Sequence, residues 1–567
     1  MHQRTFVSLA TSASSLVLLA GCSYFQSSPF DYAEPIDAER FRSIETLSLT
    51  PAQDQMLDAQ TLELRSRFEG RESVDMALEE ARAIALSRNL DLQVAMVNPA
   101  IANESLSAEE AAFEAVLSAN GTYSKTDSPT SSSLNDAQAE FTQFNPSVSV
   151  PLRTGGRATV SLPMTRNETN NSFSTLNPAY TADLGLTFSQ PLLRNAGRWI
   201  ATYGIRIASY NHQISQAQTK LRIIAQLAAV DRAYWRLYQI RQELDVRQQQ
   251  YELAVAQLER AERRVRAETA AEIEVTRAQS GVASSLEAIL VSENAVLSQQ
   301  RELKRLLNAP GLDVDTSSMV VPTSAPDPVR YDADRTELMQ MALANRMELL
   351  EEELRLAQNA ADIRFLENQA EPSVSVNAGY NINGLGESLG DAAEILAENH
   401  FEDWNIGFSA SVPLGNEAAQ ANLRSAILSR IQRIATQEDR RRTIIQEVAG
   451  ALDSLESDWQ RIMAARQSVI LNQRAFDGEQ RQFTSGRSTS TDVLDASSRL
   501  AEAKLTEIRA VVDYQITQIN LAVATGTLMG SARVRWDSVE SPQLDGWWLF
   551  PKAPEGTIDG TPNPQPD

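Results

Sequence analysis

Two long heptad stripes, one in each half of the chain, most constrain what this sequence can fold into. The first places an apolar residue at every seventh position: Val230, Leu237, Leu244, Tyr251, Leu258 and Val265. The second does the same 218 positions later: Val448, Leu455, Ile462, Val469, Phe476 and Phe483. A sustained period of seven marks a helix packed nearly parallel to neighbouring helices. The chain is therefore predicted to contain the same long helix twice, by internal duplication.

After each stripe the chain turns, and a returning stripe begins at the same offset. The returning stripes are Val275, Val282, Ile289, Val296 and Leu303, and then Val493, Leu500, Glu507, Tyr514 and Leu521. No proline occurs in 192–309 or 414–541, and a proline inside a helix costs roughly 3 kcal/mol. The sequence predicts two helical hairpins, at 200–308 and 416–527, with arms of about sixty residues or ~90 Å. A solvated coiled-coil stalk fits the same periodicity.

Strand-like segments precede each hairpin, at 116–190 and 373–412. Apolar and polar residues tend to alternate there, as strands with one apolar face require. Pro191 and Pro413 follow the last strand of each region and mark the passage into the helical tract. Strands of about nine to eleven residues can cross a bilayer within a closed barrel. Four such strands cannot close a barrel alone, so further copies of the chain are expected to complete it. A soluble sheet packed on helices is the alternative.

The first strand region is longer than two strands require. Thr154-Gly155-Gly156-Arg157 has the composition of a hairpin turn. The predicted hairpin, around residues 147–163, extends the barrel, folds outside it or lies beneath it. The sequence does not choose among these placements.

The amino terminus has the pattern of an export signal. Arg4 precedes an apolar stretch too short to span a bilayer, and Leu19-Ala20-Gly21-Cys22 follows. This ending resembles the bacterial lipobox, which predicts a signal peptide at 1–21 and lipidation of Cys22. The alternative is an ordinary signal peptide with an incidental thiol. Ser23 after the cysteine, by resemblance to known lipoprotein sorting, favours the outer membrane over the inner one.

Charge and composition exclude several functions. The formal charge of -23 repels nucleic acid phosphates. Cys22 is the only cysteine, so neither an intrachain disulfide nor a thiolate metal cluster can form. The two histidines of the mature chain, His212 and His400, have no second ligand at a metal-type spacing. No nucleophile with a base is recognisable. The sequence therefore predicts a protein that is not an enzyme and holds no metal or cofactor.

Several motifs together resemble the TolC-like outer membrane factor family, of the lipoprotein type. They lie at 74–81 and 85–92, are echoed at 342–349, and continue at 186–194 and, most specifically, at 483–496. The resemblance covers about Ser73 to Gly526. It implies a mainly α fold with β: a trimer in which each protomer gives about four strands to one β-barrel and its long hairpins to a periplasmic tunnel. It also implies export without enzymatic activity, with a periplasmic adaptor and an inner membrane transporter as partners.

The resemblance assigns roles to the second hairpin tip. Asp492 and Asp495, three apart on neighbouring helical surface, are implied to face the tunnel at its periplasmic end. Three copies would make two carboxylate rings, which attract cations and raise some of the carboxyl pKa values. The alternative is two acids stabilised by the helix macrodipole, worth roughly 0.3 to 1 kcal/mol each.

Both tips are expected to contact the adaptor, through Gly486 and Arg487 in the second tip and Glu268 and Thr269 in the first. Glu268 stands where the duplication places Gly486. A docking groove that needs bare backbone at the first tip is therefore in doubt. Phe483 stands where relatives carry tyrosine, which removes a hydroxyl that could latch a closed tip.

The predicted organisation has six parts. They are a signal peptide at 1–21, a lipid-anchored arm at 22–72, a first repeat at 73–310, a linker at 311–332, a second repeat at 333–528 and a tail at 529–567. The predicted function is a trimeric outer membrane channel for efflux or type I secretion. A periplasmic scaffold lipoprotein without a pore is the alternative. The cargo and the particular pump are not readable from the chain.

Overall fold

The computed structural model describes Phe68 and residues 70–130, 136–485 and 487–537. All of them belong to the compact unit Leu64–Asp567. The predicted signal peptide, Cys22, nearly all of the arm, Gly486 and the tail beyond residue 537 lie outside the described residues. Of the helices in the described ranges, none combines the length and the apolar character needed to cross a membrane.

The elements follow one another in two similar series. The first is β1 (Ser73–Met76), α1 (Leu78–Arg88), α2 (Leu90–Ala111), β2 (Val116–Asp127), β3 (Gln138–Pro151), β4 (Arg157–Ser161), β5 (Met164–Thr169), β6 (Ala179–Pro191), α3 (Arg198–Ala201), α4 (Tyr203–Arg266) and α5 (Ile273–Leu307). The second is β7 (Met319–Pro322), α6 (Arg335–Asn345), α7 (Met347–Gln369), β8 (Ser373–Gly386), α8 (Leu389–Glu398), β9 (Glu402–Ser411), α9 (Glu417–Thr484), α10 (Ser490–Ala524) and α11 (Leu528–Ser531). The predicted duplication is confirmed.

The two long hairpins are unequal in their arms. The outgoing helices α4 and α9 have 64 and 68 residues, close to the predicted sixty. The returning helices α5 and α10 have only 35 each, so the expectation of two equal arms is wrong. The shorter helices occupy the remaining length: α2 packs on α4, where Thr219 Oγ1 donates to the Ala95 carbonyl at 3.1 Å.

The heptad stripes lie where the helices pack. Val230, Leu237, Val448 and Ile462 are fully buried, whereas the last three residues of each outgoing stripe are only half-buried. Glu507, the one polar residue in the returning stripes, lies 3.3 Å from Arg466 of the neighbouring helix. This ion pair explains how a carboxylate is tolerated at that position.

A seven-stranded antiparallel sheet joins both repeats. Its order is β2-β3-β4-β6-β8-β9, and β5 pairs with β3 and β6 as β4 does. β4 and β5 are therefore two parts of one strand position, and the sheet has six positions. The prediction of about four strands is wrong in this number, because the hairpin of β3 with β4 and β5 inserts between β2 and β6. Twelve residue pairs join β2 to β3, and this pairing gives the backbone groups on that side of β3 their hydrogen-bond partners.

A small parallel sheet ties the starts of the two repeats together. β1 pairs with β7, which lies in the predicted linker. The Tyr234 hydroxyl of α4 donates to the Met76 carbonyl at 2.9 Å and accepts the Ser324 N–H at 2.9 Å. Tyr234 and Met76 are both in the largest buried core cluster. The long helix is therefore fixed to both repeats about halfway along its length.

Candidate functional site

The large sheet has one apolar and one polar face. One row of paired residues runs across all six strand positions on the apolar face: Leu117, Val148, Val160, Leu186, Tyr380 and Trp404. The adjacent row on the other face is Ser118, Ser147, Ser161, Gly185, Asn381 and Asp403. Leu117 and Trp404 are 75% and 70% exposed. An exposed apolar row that continues across every strand position is typical of a surface that meets lipid.

Hydrogen bonds join the side chains of the polar face. The Ser118 and Ser147 hydroxyls are 2.8 Å apart, and Asn381 and Asn383 each donate to Asp403 at 2.8 Å. Ser375 and Ser409 make a further hydroxyl pair at 2.7 Å. Small hydroxyl and amide groups of this kind suit a water-filled lumen.

The protomer has two open sides, and each passes through both the sheet and the helices. In the sheet the outermost strands are β2 and β9. In the helical layer next to it, α2, α4, α7 and α9 pack in that order. The outermost helices α2 and α9 carry exposed apolar residues at helical spacing: Leu90, Val94, Ile101, Ile427, Leu428, Ile431 and Ile434. Each open side therefore has unpaired strand backbone and an uncovered apolar helix stripe.

The predicted prolines lie at the passage from sheet to helices. Pro191 is the last residue of β6 and Pro413 follows β9 by two residues. Below Pro191, Asn195 N–H donates to Asn368 Oδ1 at 2.7 Å, and Asn368 Nδ2 donates to the Leu193 carbonyl at 2.9 Å. The chain is thus held against α7 where it turns from strand to helix.

The two hairpin tips share the same backbone hydrogen bonds. At the first tip, Thr269 N–H donates to the Arg264 carbonyl at 2.8 Å. At the second, Arg487 N–H donates to the Gln482 carbonyl at 2.9 Å, and both residue numbers are 218 higher. At the first tip the Glu268 N–H also donates to Val265, which completes the Schellman pattern that ends a helix.

Glu268 supplies the left-handed residue that this pattern needs. Its φ is 59°, in the region that glycine adopts without steric cost. The first tip therefore turns in the manner expected of a glycine, although it carries a carboxylate. Gly486, the matching residue, lies outside the described residues.

A basic cleft lies between the two tips, and the motifs did not predict it. It has a volume of about 640 Å³ and is lined by Arg260, Arg263, Arg264, Ala267, Thr269, Gln480, Phe483 and Thr484. The Arg264 guanidinium carbon is 5.4 Å from the centre of the Phe483 ring, a cation–π contact. The sequence feature that could have indicated the cleft is three arginines within five residues, at 260–264. Their position at a helix C-terminus also suits the macrodipole.

Asp492 caps the returning helix α10. Thr489 N–H and Oγ1 donate to its Oδ2 at 2.9 and 2.7 Å, and Asp492 N–H donates back to Thr489 Oγ1 at 3.3 Å. These bonds, with one from Ser488, hold the pKa of Asp492 below its usual value. This helix-terminal role is the one that the alternative interpretation gave it.

Asp495 pairs with a neighbour on its own helix. Its Oδ2 lies 2.7 Å from the Arg499 guanidinium, and the Asp495 side chain is 59% exposed. Neither Asp492 nor Asp495 lines the basic cleft. Among the residues that the structure describes, no group of three or more histidine, cysteine or acidic residues is arranged to hold a metal ion.

The comparison with protein families decides the class of this molecule. The model of a family described as outer membrane efflux protein matches residues 158–309 and 338–527, which is more than half of the chain. This chain belongs to the outer membrane efflux protein family. The two matched segments contain one long hairpin each, as the heptad stripes predicted. The first matched segment begins in β4, whereas the motif resemblance begins at about Ser73. β2 and β3 therefore lie outside the family match.

Individual relatives agree with this assignment. Outer membrane protein TolC of Vibrio cholerae is 23% identical over 352 residues, or 61% of this chain and 76% of that protein. Outer membrane protein TolC of Escherichia coli is 26% identical over 214 residues, which are 36% of this chain and only 42% of that protein. The resemblance of the motifs to the TolC-like family is thereby confirmed, whereas the lipoprotein type stays a prediction.

Solved structures share the fold. The structure of CusC superposes with a TM-score of 0.62 at 17% identity. The superposition covers 85% of this chain and 100% of CusC. The outer membrane channel CmeC of Campylobacter jejuni has a TM-score of 0.60 at 15% identity, over 80% of this chain and 86% of that one. As a member of the efflux family, the protein is a non-enzymatic transport channel of the outer membrane.

Proposed function

We propose that three copies of this chain close head to tail into one channel that exports substrates from an inner membrane transporter through a periplasmic adaptor. The number three is what the family resemblance implies. The observation that carries the proposal is the pair of open sides, because β2 and β9 are the outermost strands of the sheet and α2 and α9 the outermost helices of the layer next to it within the described protomer.

The strand directions support this closure. Six strand positions alternate in direction from β2 to β9, so β9 of one protomer would meet β2 of the next in antiparallel orientation. An odd number of positions would force a parallel seam at each contact. Closure also removes the sheet edges, which lipid does not tolerate. A periplasmic scaffold without a pore would leave the apolar face of the sheet unexplained.

Disulfide cross-linking across the seam tests the closure. One cysteine on β2, at Tyr123, is combined in turn with one on β9, at Trp404, Ile406 or Phe408. The outermost strands of one protomer are five spacings apart, about 24 Å, which no disulfide can bridge. A cross-link must therefore join two protomers, and we expect one register to give covalent trimers on a denaturing gel. The single-cysteine variants control for Cys22, and monomers in every register would contradict the proposal.

The basic cleft is the proposed adaptor contact, together with Glu268, Thr269, Gly486 and Arg487. Arg260 and Arg264 have no carboxylate within ion-pair distance among the described residues. An acidic adaptor segment is the complementary partner, and its binding should weaken as salt is added.

Lipidation of Cys22 is also part of the proposal. It rests on the lipobox pattern alone, which lies outside the described residues. Mass spectrometry of the mature amino terminus of the wild type and of Cys22→Ser checks it.

A further inference from the structure

The connection between β8 and β9 contains a well-defined helix, α8. It begins with a capping box, in which Asp391 N–H donates to Ser388 Oγ at 3.3 Å and Ser388 N–H donates to Asp391 Oδ2 at 3.1 Å. It ends at Asn399 in the left-handed conformation, with φ 52°. Because β8 starts next to the long helices and ends at Gly386, α8 lies at the far end of the sheet.

Two glycines show which face of the sheet α8 covers. A Cβ on Gly384 would come within 2.1 Å of the Ala392 carbonyl oxygen, and one on Gly386 within 2.6 Å of Asp391 Cβ. Side chains alternate along a strand, so Gly384 shares its face with Tyr380 and Ile382. The helix therefore lies on the apolar face, and the glycines allow it to approach the strand backbone.

Packing on the sheet uses only part of the apolar surface of α8. Ala392 is fully buried, and Ile395 and Leu396 are half-buried. Successive helix residues are turned by about 100°, which places Leu389, Ala393 and Ala397 together on the flank beside the sheet contact. These three are exposed, Leu389 by 43%. The acids Asp391, Glu394 and Glu398 occupy the opposite side and are exposed.

The apolar face carries aromatic residues with polar tips beneath α8 and, on β8, six residues before Gly386. Tyr180 pairs with Gly386 beneath α8, and Tyr380 pairs with Trp404. Tyrosine and tryptophan on a lipid-facing surface concentrate at the boundary between hydrocarbon and water. An amphipathic helix at that level lies in the plane of the boundary, with its apolar flank towards the lipid.

We propose that α8 is an interfacial helix on the outside of the barrel, whose flank of Leu389, Ala393 and Ala397 enters the outer leaflet while its acids remain in water. The proposal rests on the proposed function, which turns the apolar face of the sheet towards lipid. Its partner is lipid acyl chain and not a protein. It fixes the depth at which the barrel sits in the membrane.

Depth-dependent fluorescence quenching tests this placement. A thiol-reactive fluorophore is attached to single cysteines in place of Leu389, Glu394 or Ile406, and the protein is reconstituted in vesicles that contain brominated phosphatidylcholine. Ile406 is on the lipid face of β9 and reports insertion of the barrel; Glu394 is the matched control on α8. Labelled wild type gives the background from Cys22.

We expect severalfold stronger quenching at Leu389 than at Glu394, with Ile406 quenched as well. Equal and weak quenching at Leu389 and Glu394, with Ile406 quenched, would overturn the interfacial helix while leaving the channel intact. No quenching at Ile406 would instead overturn the proposed function. Each variant is first checked for the oligomer of the wild type, so that a misfolded protein is not scored.

Discussion

At the scale of single residues, the first hairpin tip makes its turn with a glutamate where the duplication places a glycine. Glu268 adopts φ 59°, and a residue with a Cβ in the left-handed region costs roughly 1 to 2 kcal/mol relative to a right-handed one. The sequence placed Glu268 opposite Gly486 but could not show whether the turn was kept. The structure shows that the turn is kept, because the backbone N–H groups of Glu268 and Thr269 both donate to the preceding helix. These hydrogen bonds are set by the backbone angles, which the sequence does not show.

Replacing Glu268 with glycine should therefore stabilise the first tip. We expect slower local opening, by about 1 kcal/mol in opening free energy, because glycine relieves the left-handed strain. Hydrogen exchange of the amides from Ala267 to Thr269 measures it. Glu268→Ala is the matched control, since alanine removes the carboxylate and keeps the strain, and it should leave the exchange nearly unchanged. Equal protection in both variants would contradict the strain argument.

We propose that Asp492 and Asp495 of three copies face one axis as two carboxylate rings, in addition to the contacts that each makes on its own helix. The lowered pKa of Asp492 means that its capping contribution is fully present above its unfolded value, ~3.9, and is lost as the pH falls through the lower native value. Repulsion between the carboxylates of a ring would instead raise the pKa of Asp492. At pH 7 six charged carboxylates around one axis would concentrate cations much more than scattered surface acids.

The pair Asp492→Asn and Asp495→Asn should weaken the block of single-channel conductance by di- and trivalent cations. Asparagine at 492 keeps an oxygen for the Thr489 N–H, so the cap is largely retained. Asp477→Asn, an exposed acid on α9, is the control and should leave the block unchanged. If planar bilayer recordings of the double variant show undiminished cation block, the two acids only cap and pair on their own helix.

At the scale of elements, the sequence predicted what depends on local periodicity. Both outgoing helices, the strand regions and the prolines at their ends follow from patterns within a few turns of chain. The sequence also indicated the turn at Gly155-Gly156, but it did not indicate where the hairpin with this turn lies in the sheet. That place depends on β3 pairing with β2 and on β4 and β5 pairing with β6. The Arg264–Phe483 contact could not be predicted from the sequence either, because the two residues are 219 positions apart in the chain.

At the scale of the whole molecule, the proposed closure would bring β9 to β2 and α9 to α2 of the next protomer at the same seam. The rows of paired residues place Leu117 of β2 and Leu186 of β6 on one apolar face, with β3 and β4 between them. The added hairpin therefore lengthens the wall without interrupting either face. Three copies of six positions would give eighteen strands, where the four strands implied by the family resemblance would give twelve. The helical layer has no corresponding addition.

With eighteen strands, we expect the barrel to be wider at its mouth than the helical tunnel below it. Barrel diameter grows roughly linearly with strand number, so removing residues 128–178 should narrow the mouth by about one third. The deletion leaves β2 and β6 as antiparallel neighbours with Leu117 and Leu186 still in one row.

Polyethylene glycols of increasing size, added to the extracellular side of single channels, measure the width of the mouth. The largest polymer that enters the channel should be smaller for the deletion variant than for the wild type. The limit measured from the periplasmic side is set by the tips and should not move. Equal extracellular limits for the two proteins would show that the added hairpin does not widen the barrel, even though it lies within the sheet of each protomer.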